Sequence, residues 1–398
     1  MAAAAAAAAA LPVGDVLALA AADPLALVRT YADPTVTAVR TTSLAGAGGY
    51  SGTLTLLTCA RPGGAPDLEL VLKTHTPQAG GHADDGGLGL AREALFYADA
   101  SLGPAVACAP RAFVAAGDMA TGAKAVLLAR APGTQAGYFF GRGSPHNDRP
   151  DLPELAAREG APTADDVTRA AFAAAAAVHA RFWRDPRLLR KAFLRGSDWR
   201  QGHGEDGWRA AQRVAADAWA RARGGAAAAA VAAWDPRLVA LVDASLAAVD
   251  WAAYQAAQAR APWTLVHGDF HPANMMYAAG GRLALLDWEV VGLGDPAQEL
   301  GQFVISHMAP AQRRAGERAR IDAYHAALTA ARPAIAAEYS AADAWEGYVR
   351  GGVARWCWLL PILTGLCPPA ALQHFADQVL AFAVDHGVTA DNAPMARV

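Results

Sequence analysis

Two apolar runs that each end on a carboxylate constrain this chain more than any other feature. The first covers Trp263 to Asp269 and delivers His267-Gly268-Asp269 to a loop, with Asn274 five residues further on. The second covers Arg282 to Trp288 and carries Asp287, 18 residues after Asp269. Runs this short, rich in Leu and Val and bounded by Gly and Pro, read as strands. Long helical patterns flank them, at 164–183, 208–223 and 234–258 before and at 296–308, 311–331, 341–364 and 369–385 after. The chain therefore sets a β hairpin inside a helical region.

The first third differs. Ser51 to Cys59 alternates small polar and apolar residues, and Leu68 to His75 reads as a second strand behind a Pro62-Gly63-Gly64 turn. A helix over Leu90 to Leu102 follows, stopped by Gly103-Pro104, then strands near 110–116 and 123–131. The expected fold is α+β and two-lobed, with a small β-rich N-terminal lobe and a large helical C-terminal lobe. Its parts are an Ala-rich disordered tail (1–24), a nucleotide-binding lobe (25–131), a Gly/Pro-rich connection (132–163) and a helical lobe carrying the catalytic loop (164–398).

Composition removes several classes. With 54% hydrophobic and 18% charged residues the chain is too apolar for disorder. A net charge of -3 offers no basic field for nucleic acid. No run of 18 strongly apolar residues exists, so no membrane span is expected. Cys59, Cys108, Cys357 and Cys367 form no CxxC pair, which favours a reducing, cytoplasmic setting. The poly-Ala start lacks the basic region of a secretory signal and reads as a frayed tail, with organelle targeting as the other option.

The chemistry lies in the joint spacing. Phosphoryl transfer needs one carboxylate to accept the proton of a substrate hydroxyl. It also needs an amide oxygen and a second carboxylate to hold Mg²⁺ against nucleotide phosphates. A D-x-x-x-x-N loop followed by a strand ending in Asp is the kinase form of that set. His267-x-Asp269-x-His271 also permits a metal cluster, because alternate residues of an extended segment share a face. That gives a metal-dependent hydrolase as a rival. Lys73, alone among apolar residues on its strand, either snorkels at an edge or grips phosphate. Glu93, 20 residues later on the next helix, favours the second, since a strand–helix Lys–Glu pair aims the lysine at phosphates. Gly48, Gly49 and Ser51 lie in a glycine-rich turn whose amides suit phosphate oxygens, although no GKS or GKT is present.

With these residues in view, the chain resembles the aminoglycoside phosphotransferase and choline kinase-like superfamily, including its ecdysteroid kinase-like branch. The resemblance rests on His267-Gly268-Asp269 with Asn274, Asp287-Trp288-Glu289, Gly294-Asp295-Pro296, Glu299-Leu300, and Glu93 with Tyr97. It implies a protein-kinase-like fold and transfer of the γ-phosphate of ATP to a hydroxyl of a small-molecule acceptor. It assigns Asp269 as base, Asn274 and Asp287 as Mg²⁺ ligands, and His267 and Asp295 as orienting and bracing the catalytic loop. Lys73, Glu93, Gly48, Gly49 and Ser51 are implied on the nucleotide. Two positions depart from the family pattern: Glu299 stands where Asp is commoner, and Ala129-Arg130 stands where the hinge strand often ends in Glu-Asp. A catalytically silent kinase-fold binding protein is a further alternative, as is a protein kinase, which the lack of an APE-like segment after Asp287 disfavours. His179 and the Trp345, Tyr348, Trp356, Cys357 and Trp358 group read as core.

Overall fold

The computed structural model describes residues 12–44, 52–76, 89–141, 144, 147, 150–225 and 227–398. Gly48, Gly49 and Ser51 lie outside the described residues. The chain divides into two compact units, Met1–Pro132 with Ala284–Val291, and Gly133–Leu283 with Gly292–Val398.

The first unit is built on five antiparallel strands in the order β1-β2-β3-β5-β4. These are β1 (Ala38–Ser43), β2 (Thr53–Ala60), β3 (Leu68–His75), β4 (Ala112–Gly117) and β5 (Lys124–Ala129). Side chains alternate across a strand. Leu70 and Leu72 of β3 and Ala125 and Leu127 of β5 thus share one face and enter an apolar core. Lys73 of β3 and its register partner Val126 point the other way. That core is closed by α1 (Val13–Ala22) and α2 (Pro24–Tyr31), through Val16, Leu27 and Val28.

These helices overturn the expected tail from residue 13 to residue 24; residues 1–11 lie outside the described residues. Alanine favours helix, and Val16 with Leu17 and Leu19 gives residues 13–22 an apolar stripe that the sheet buries. Asp23 then caps α2 by accepting from Ala26 N at 2.9 Å, with Pro24 at the first helical position. The helix expected over 90–102 is shorter, α3 (Arg92–Ala98). Asp99 ends it by turning its carboxylate to Ser101 N at 2.9 Å, four residues ahead of Gly103.

In the second unit, β6 (Thr134–Gln135) pairs with β8 (Met275–Ala278), and β7 (Thr264–Val266) pairs with β10 (Gly292–Gly294). Strand β9 (Arg282–Leu285) leads from this unit into the 284–291 segment of the first. The helices are α4 (Leu152–Arg158), α5 (Ala164–Phe182), α6 (Glu205–Gly224), α7 (Ala228–Ala232), α8 (Pro236–Ala247) and α9 (Trp251–Arg260). After β10 come α10 (Pro296–His307), α11 (Pro310–Arg314), α12 (Glu317–Ala331), α13 (Ala341–Glu346), α14 (Gly352–Leu363) and α15 (Pro369–Asp385).

Three expected helices are broken. The 234–258 pattern splits where Asp250 accepts from Ala253 N at 2.7 Å and restarts the helix. The 311–331 pattern splits at Ala315-Gly316, and 341–364 contains a π-helical turn over Gly347–Gly351. Helices α10 and α14 touch backbone to backbone. A Cβ on Gly301 would lie 2.6 Å from Gly352 Cα, so only glycine permits this approach. None of the described helices is long and apolar enough to cross a membrane.

Candidate active site

In the first unit, Lys73 gathers the acidic residues. Its Nζ lies 2.8 Å from Glu93 Oε2, Asp287 Oδ1 and Glu289 Oε1. The expected strand–helix pair with Glu93 is therefore formed, and Asp287 and Glu289 join it. Burial alone would push the Lys73 ammonium down. Glu93, Asp287 and Glu289 more than reverse this and hold it well above the ordinary lysine range. Lys124, fully buried on the same sheet, bonds Glu289 and lies 3.6 Å from Glu93. Two buried ammonium groups and three carboxylates thus form one network.

The segment that carries Asp287 is fixed on α3. Trp288 stacks on Phe96 with ring centroids 4.3 Å apart, and its indole donates to Leu285 O at 3.0 Å. Arg92 Nη1 donates to Glu289 O at 2.9 Å. Asp287, two residues past the end of β9, has φ 63°, the left-handed region that is costly for a residue with a Cβ, and its carboxylate meets Lys73. Tyr97, matched with Glu93 at the sequence level, buries a hydroxyl with no hydrogen-bond partner.

In the second unit, fully buried β7 leads to His267, Gly268 and Asp269. Gly268 has φ 83°, a turn that favours glycine. Glu299 of α10 holds the loop backbone: its Oε2 accepts from His267 N at 2.9 Å and Gly268 N at 3.3 Å. Its other oxygen meets His179 Nε2 at 2.6 Å, and His179 Nδ1 meets Tyr324 Oη at 2.8 Å. The brace is therefore Glu299, backed by His179, and not Asp295. Asp295 instead caps α10 by accepting from Ala297 N at 2.9 Å.

Three donors converge on the Asp269 carboxylate. Gln302 Nε2 reaches Oδ1 at 2.9 Å, while Asn274 Nδ2 and His271 Nε2 reach Oδ2 at 3.0 Å and 3.3 Å. Burial works to raise its pKa. His271 first, then Arg355 and His267, outweigh this and hold it well below the usual carboxylate range. The group stays ionised and about a third exposed, so a hydroxyl proton can reach it. Behind it, Arg355 donates from Nη2 to Gly268 O at 2.8 Å and from Nε to Gln302 Oε1 at 3.2 Å.

Oxygen donors of the kind a hard divalent cation takes are present, although the Lys73 ammonium already lies 2.8 Å from each carboxylate of the cluster. Among the described residues, Glu93, Asp287 and Glu289 each bring an oxygen within 4.8 Å of one another. Asn274 commits its amide nitrogen to Asp269, which leaves Oδ1 for a cation. The His267-Asp269-His271 triad fits less well as a metal cluster, because His267 Nδ1 accepts from Asp269 N at 3.2 Å.

Sequence reading missed Gln302, Arg355, Lys124 and Glu289 as site residues. Gln302 lies one turn after Glu299 on the same helix face, which was a usable signal. Arg355 sits beside the Trp356-Cys357-Trp358 group, whose apolar character concealed it.

The sequence model of the phosphotransferase enzyme family matches residues 71–337. No curated protein matches the chain. Among solved structures, an aminoglycoside phosphotransferase from Alicyclobacillus acidocaldarius is similar at 15% identity, covering 89% of this chain and 92% of that one, with a TM-score of 0.42. A choline kinase from Cryptosporidium parvum is similar at 8% identity, covering 91% and 96%, with a TM-score of 0.49. A macrolide 2′-phosphotransferase from Brachybacterium faecium is similar at 16% identity, covering 92% and 98%, with a TM-score of 0.41.

Proposed function

The chain belongs to the phosphotransferase enzyme family, and we propose that it moves the γ-phosphate of ATP to a hydroxyl of a small-molecule acceptor. The observation that carries this reading is Lys73, whose ammonium is held at 2.8 Å from both Glu93 and Asp287. A buried ammonium fixed charged by carboxylates is suited to phosphate oxygens. Glu93 keeps it aimed. Asp269, ionised and oriented by Gln302 and Asn274, takes the hydroxyl proton as the acceptor oxygen bonds phosphorus and the bond to the β-phosphate oxygen breaks. When bound, Mg²⁺ neutralises charge on the phosphate oxygens, and Asp287 with Asn274 Oδ1 would hold it. His267 keeps the loop in register by accepting the Asp269 N–H. Gly48, Gly49 and Ser51 are assigned to the nucleotide by sequence alone. Free thiols at Cys59, Cys108, Cys357 and Cys367 support a reducing, cytoplasmic setting.

The test separates two carboxylates. Asp269→Asn should retain Mg·ATP binding, with turnover down ~10²–10⁴-fold. Asp287→Asn should lose both. Saturating nucleotide stabilises by about 2.7 kcal/mol at 100 times Kd, so wild type and Asp269→Asn should gain a few degrees in Tm with Mg·ATP. Asp287→Asn should gain little. A Mg·ATP shift in wild type without ATP consumption on any hydroxyl acceptor would mark a silent binding protein. No shift at all, or a shift with zinc alone, would overturn the reading.

A further inference from the structure

A cavity of about 40 Å³ opens in the second unit beside the catalytic loop, lined by Arg195, Tyr254, Gly268, Gln298, Gln302 and Arg397 among others. At ~10–15 Å³ per water on this measure, it has room for roughly three waters, the size of a carboxylate or a phosphate group but not of a whole acceptor. Gly268 precedes Asp269, and Gln302 donates to its carboxylate, so the cavity adjoins the proposed base.

Hydrogen-bond accounting shows what the cavity lacks. Arg195 is anchored by its backbone, with Leu293 N donating to Arg195 O at 2.8 Å. Its guanidinium, with five N–H donors, makes no hydrogen bond or ion pair with any described residue, and the charges of Asp269 and Arg355 and the Tyr254 hydroxyl act on it at longer range. Arg355, bonded to Gly268 and Gln302, keeps a buried Nη1 with no partner. The two cations oppose each other: burial first, then Arg195, push the Arg355 guanidinium down to about 9. Burial pushes Arg195 down to about 10. Both stay protonated near neutral pH. Two side-chain carboxylates of the wall are already engaged, and Val398, the last residue of the chain, also lines it. Glu299 serves His267 N, Gly268 N and His179, and Asp295 serves the first turn of α10. Arg195, half-buried on this wall, thus offers the cavity guanidinium donors with no partner among the described residues, while Tyr254, Gln298 and Val398 complete the wall.

We propose that Arg195, with Arg355 behind it, receives an anionic group of the acceptor, a carboxylate or phosphate, and so selects acidic hydroxyl compounds. Arginine's planar fork suits both groups bidentately. This rests on the phosphotransferase reading, and the same chemistry has a second source, the phosphates of the nucleotide.

The test uses the full chain with inorganic phosphate as probe. Calorimetry on wild type should show phosphate binding that persists with Mg·ADP present. Arg195→Gln should weaken it by roughly ten- to a hundredfold, the scale of a lost charged hydrogen bond, and Arg195→Lys should restore part of it. ATP consumption is then compared on matched acceptors: glycerate and glycerol 3-phosphate against glycerol and choline. Acidic acceptors should be preferred, and Arg195→Gln should raise their KM with the KM for ATP unchanged. Equal phosphate affinity in wild type and Arg195→Gln would overturn the proposal. So would a rise confined to the KM for ATP, which assigns the site to the nucleotide. Phosphate binding lost in Arg195→Gln, with no ATP turnover on any acceptor, would sink the phosphotransferase reading and leave the anion site standing. Turnover of glycerol or choline alone, unaffected by Arg195→Gln, would do the reverse.

Discussion

Gln302 donates from Nε2 to Asp269 Oδ1 at 2.9 Å, across two elements of the second unit. Its own oxygen accepts from Arg355 Nε at 3.2 Å, so the amide cannot turn over without losing both bonds. The base is thereby oriented from a helix as well as from its own loop, where Asn274 and His271 hold the other oxygen. Helices place side chains more rigidly than loops do.

Gln302→Leu keeps the volume close and removes both bonds. Misplacing a reacting group by about 1 Å costs up to ~10²-fold. Steady-state kinetics should therefore show kcat reduced ~10–100-fold with the KM for ATP unchanged. The Mg·ATP thermal shift should equal that of wild type. A variant that loses nucleotide binding instead would show that Gln302 has only a structural role.

Lys124 poses a different question, because it is buried on the same network as Lys73 yet stands apart from the sequence motif. It bonds Glu289 directly and lies 3.6 Å from Glu93. Removing one partner of a buried pair leaves an uncompensated charge and costs about 3–5 kcal/mol. Glu289 and Glu93 keep Lys73 at 2.8 Å, so Lys124→Met should lower unfolding stability by less than that, about 1–3 kcal/mol, in a urea titration. Adding Glu289→Gln to Lys124→Met should recover part of the loss. A strictly additive double variant would show no coupling between the two residues.

What the sequence made legible, and what it hid, follows from the range of each interaction. Strands β2, β3, β4 and β5 were visible because alternation and turn residues are local. The Lys73–Glu93 pair was visible because strand and helix are neighbours in sequence. Strand β1 was not, because on the sheet edge it is mostly exposed and lacks an apolar period. Helix α1 was hidden by poly-Ala, which reads as low complexity until Val16, Leu17 and Leu19 find the sheet. The brace by Glu299 spans 32 residues to His267 N, and Arg355 acts over 87 residues on Gly268 O. No spacing rule reaches that far. The family resemblance implies Asp295 as the brace, and the fold uses Asp295 as a helix cap instead.

The docking of α1 is itself testable through Val16, which is 1% exposed. Val16→Ala removes about two buried carbon groups at ~0.8 kcal/mol each, so stability should fall by about 1.5 kcal/mol. Surface changes usually stay within about 0.5 kcal/mol. A neutral Val16→Ala in denaturant titration would restore the frayed tail that composition suggested.

A charged scaffold cluster away from the catalytic loop couples stability to pH. Arg313, 2% exposed, donates to Glu317 Oε2 at 2.9 Å and also bonds Asp385, while His386 and Tyr348 meet Glu317 at 3.3 Å and 3.0 Å. Burial pushes the Glu317 and Asp385 carboxyls up. Hydrogen bonds from His386 and Arg313 to Glu317, and from Arg314 and Arg313 to Asp385, outweigh it and lower both. Folded pKa values below the unfolded ones, about 4.3 for Glu and 3.9 for Asp, mean stabilisation that is fully present above pH ~5. It is lost as pH falls through the lowered folded values. Arg313→Met removes the cation the two carboxylates share and leaves Glu317 to His386 and Tyr348 and Asp385 to Arg314, at about 3 kcal/mol near pH 7. In the variant those groups protonate more readily, so acid relieves it while it harms wild type. Thermal melts from pH 7 to pH 3 should show the gap in Tm between the two proteins narrowing steadily. A gap that stays constant across that range would show that Arg313 stabilises through packing on the Phe382 ring, 5.0 Å from its guanidinium carbon, rather than through charge.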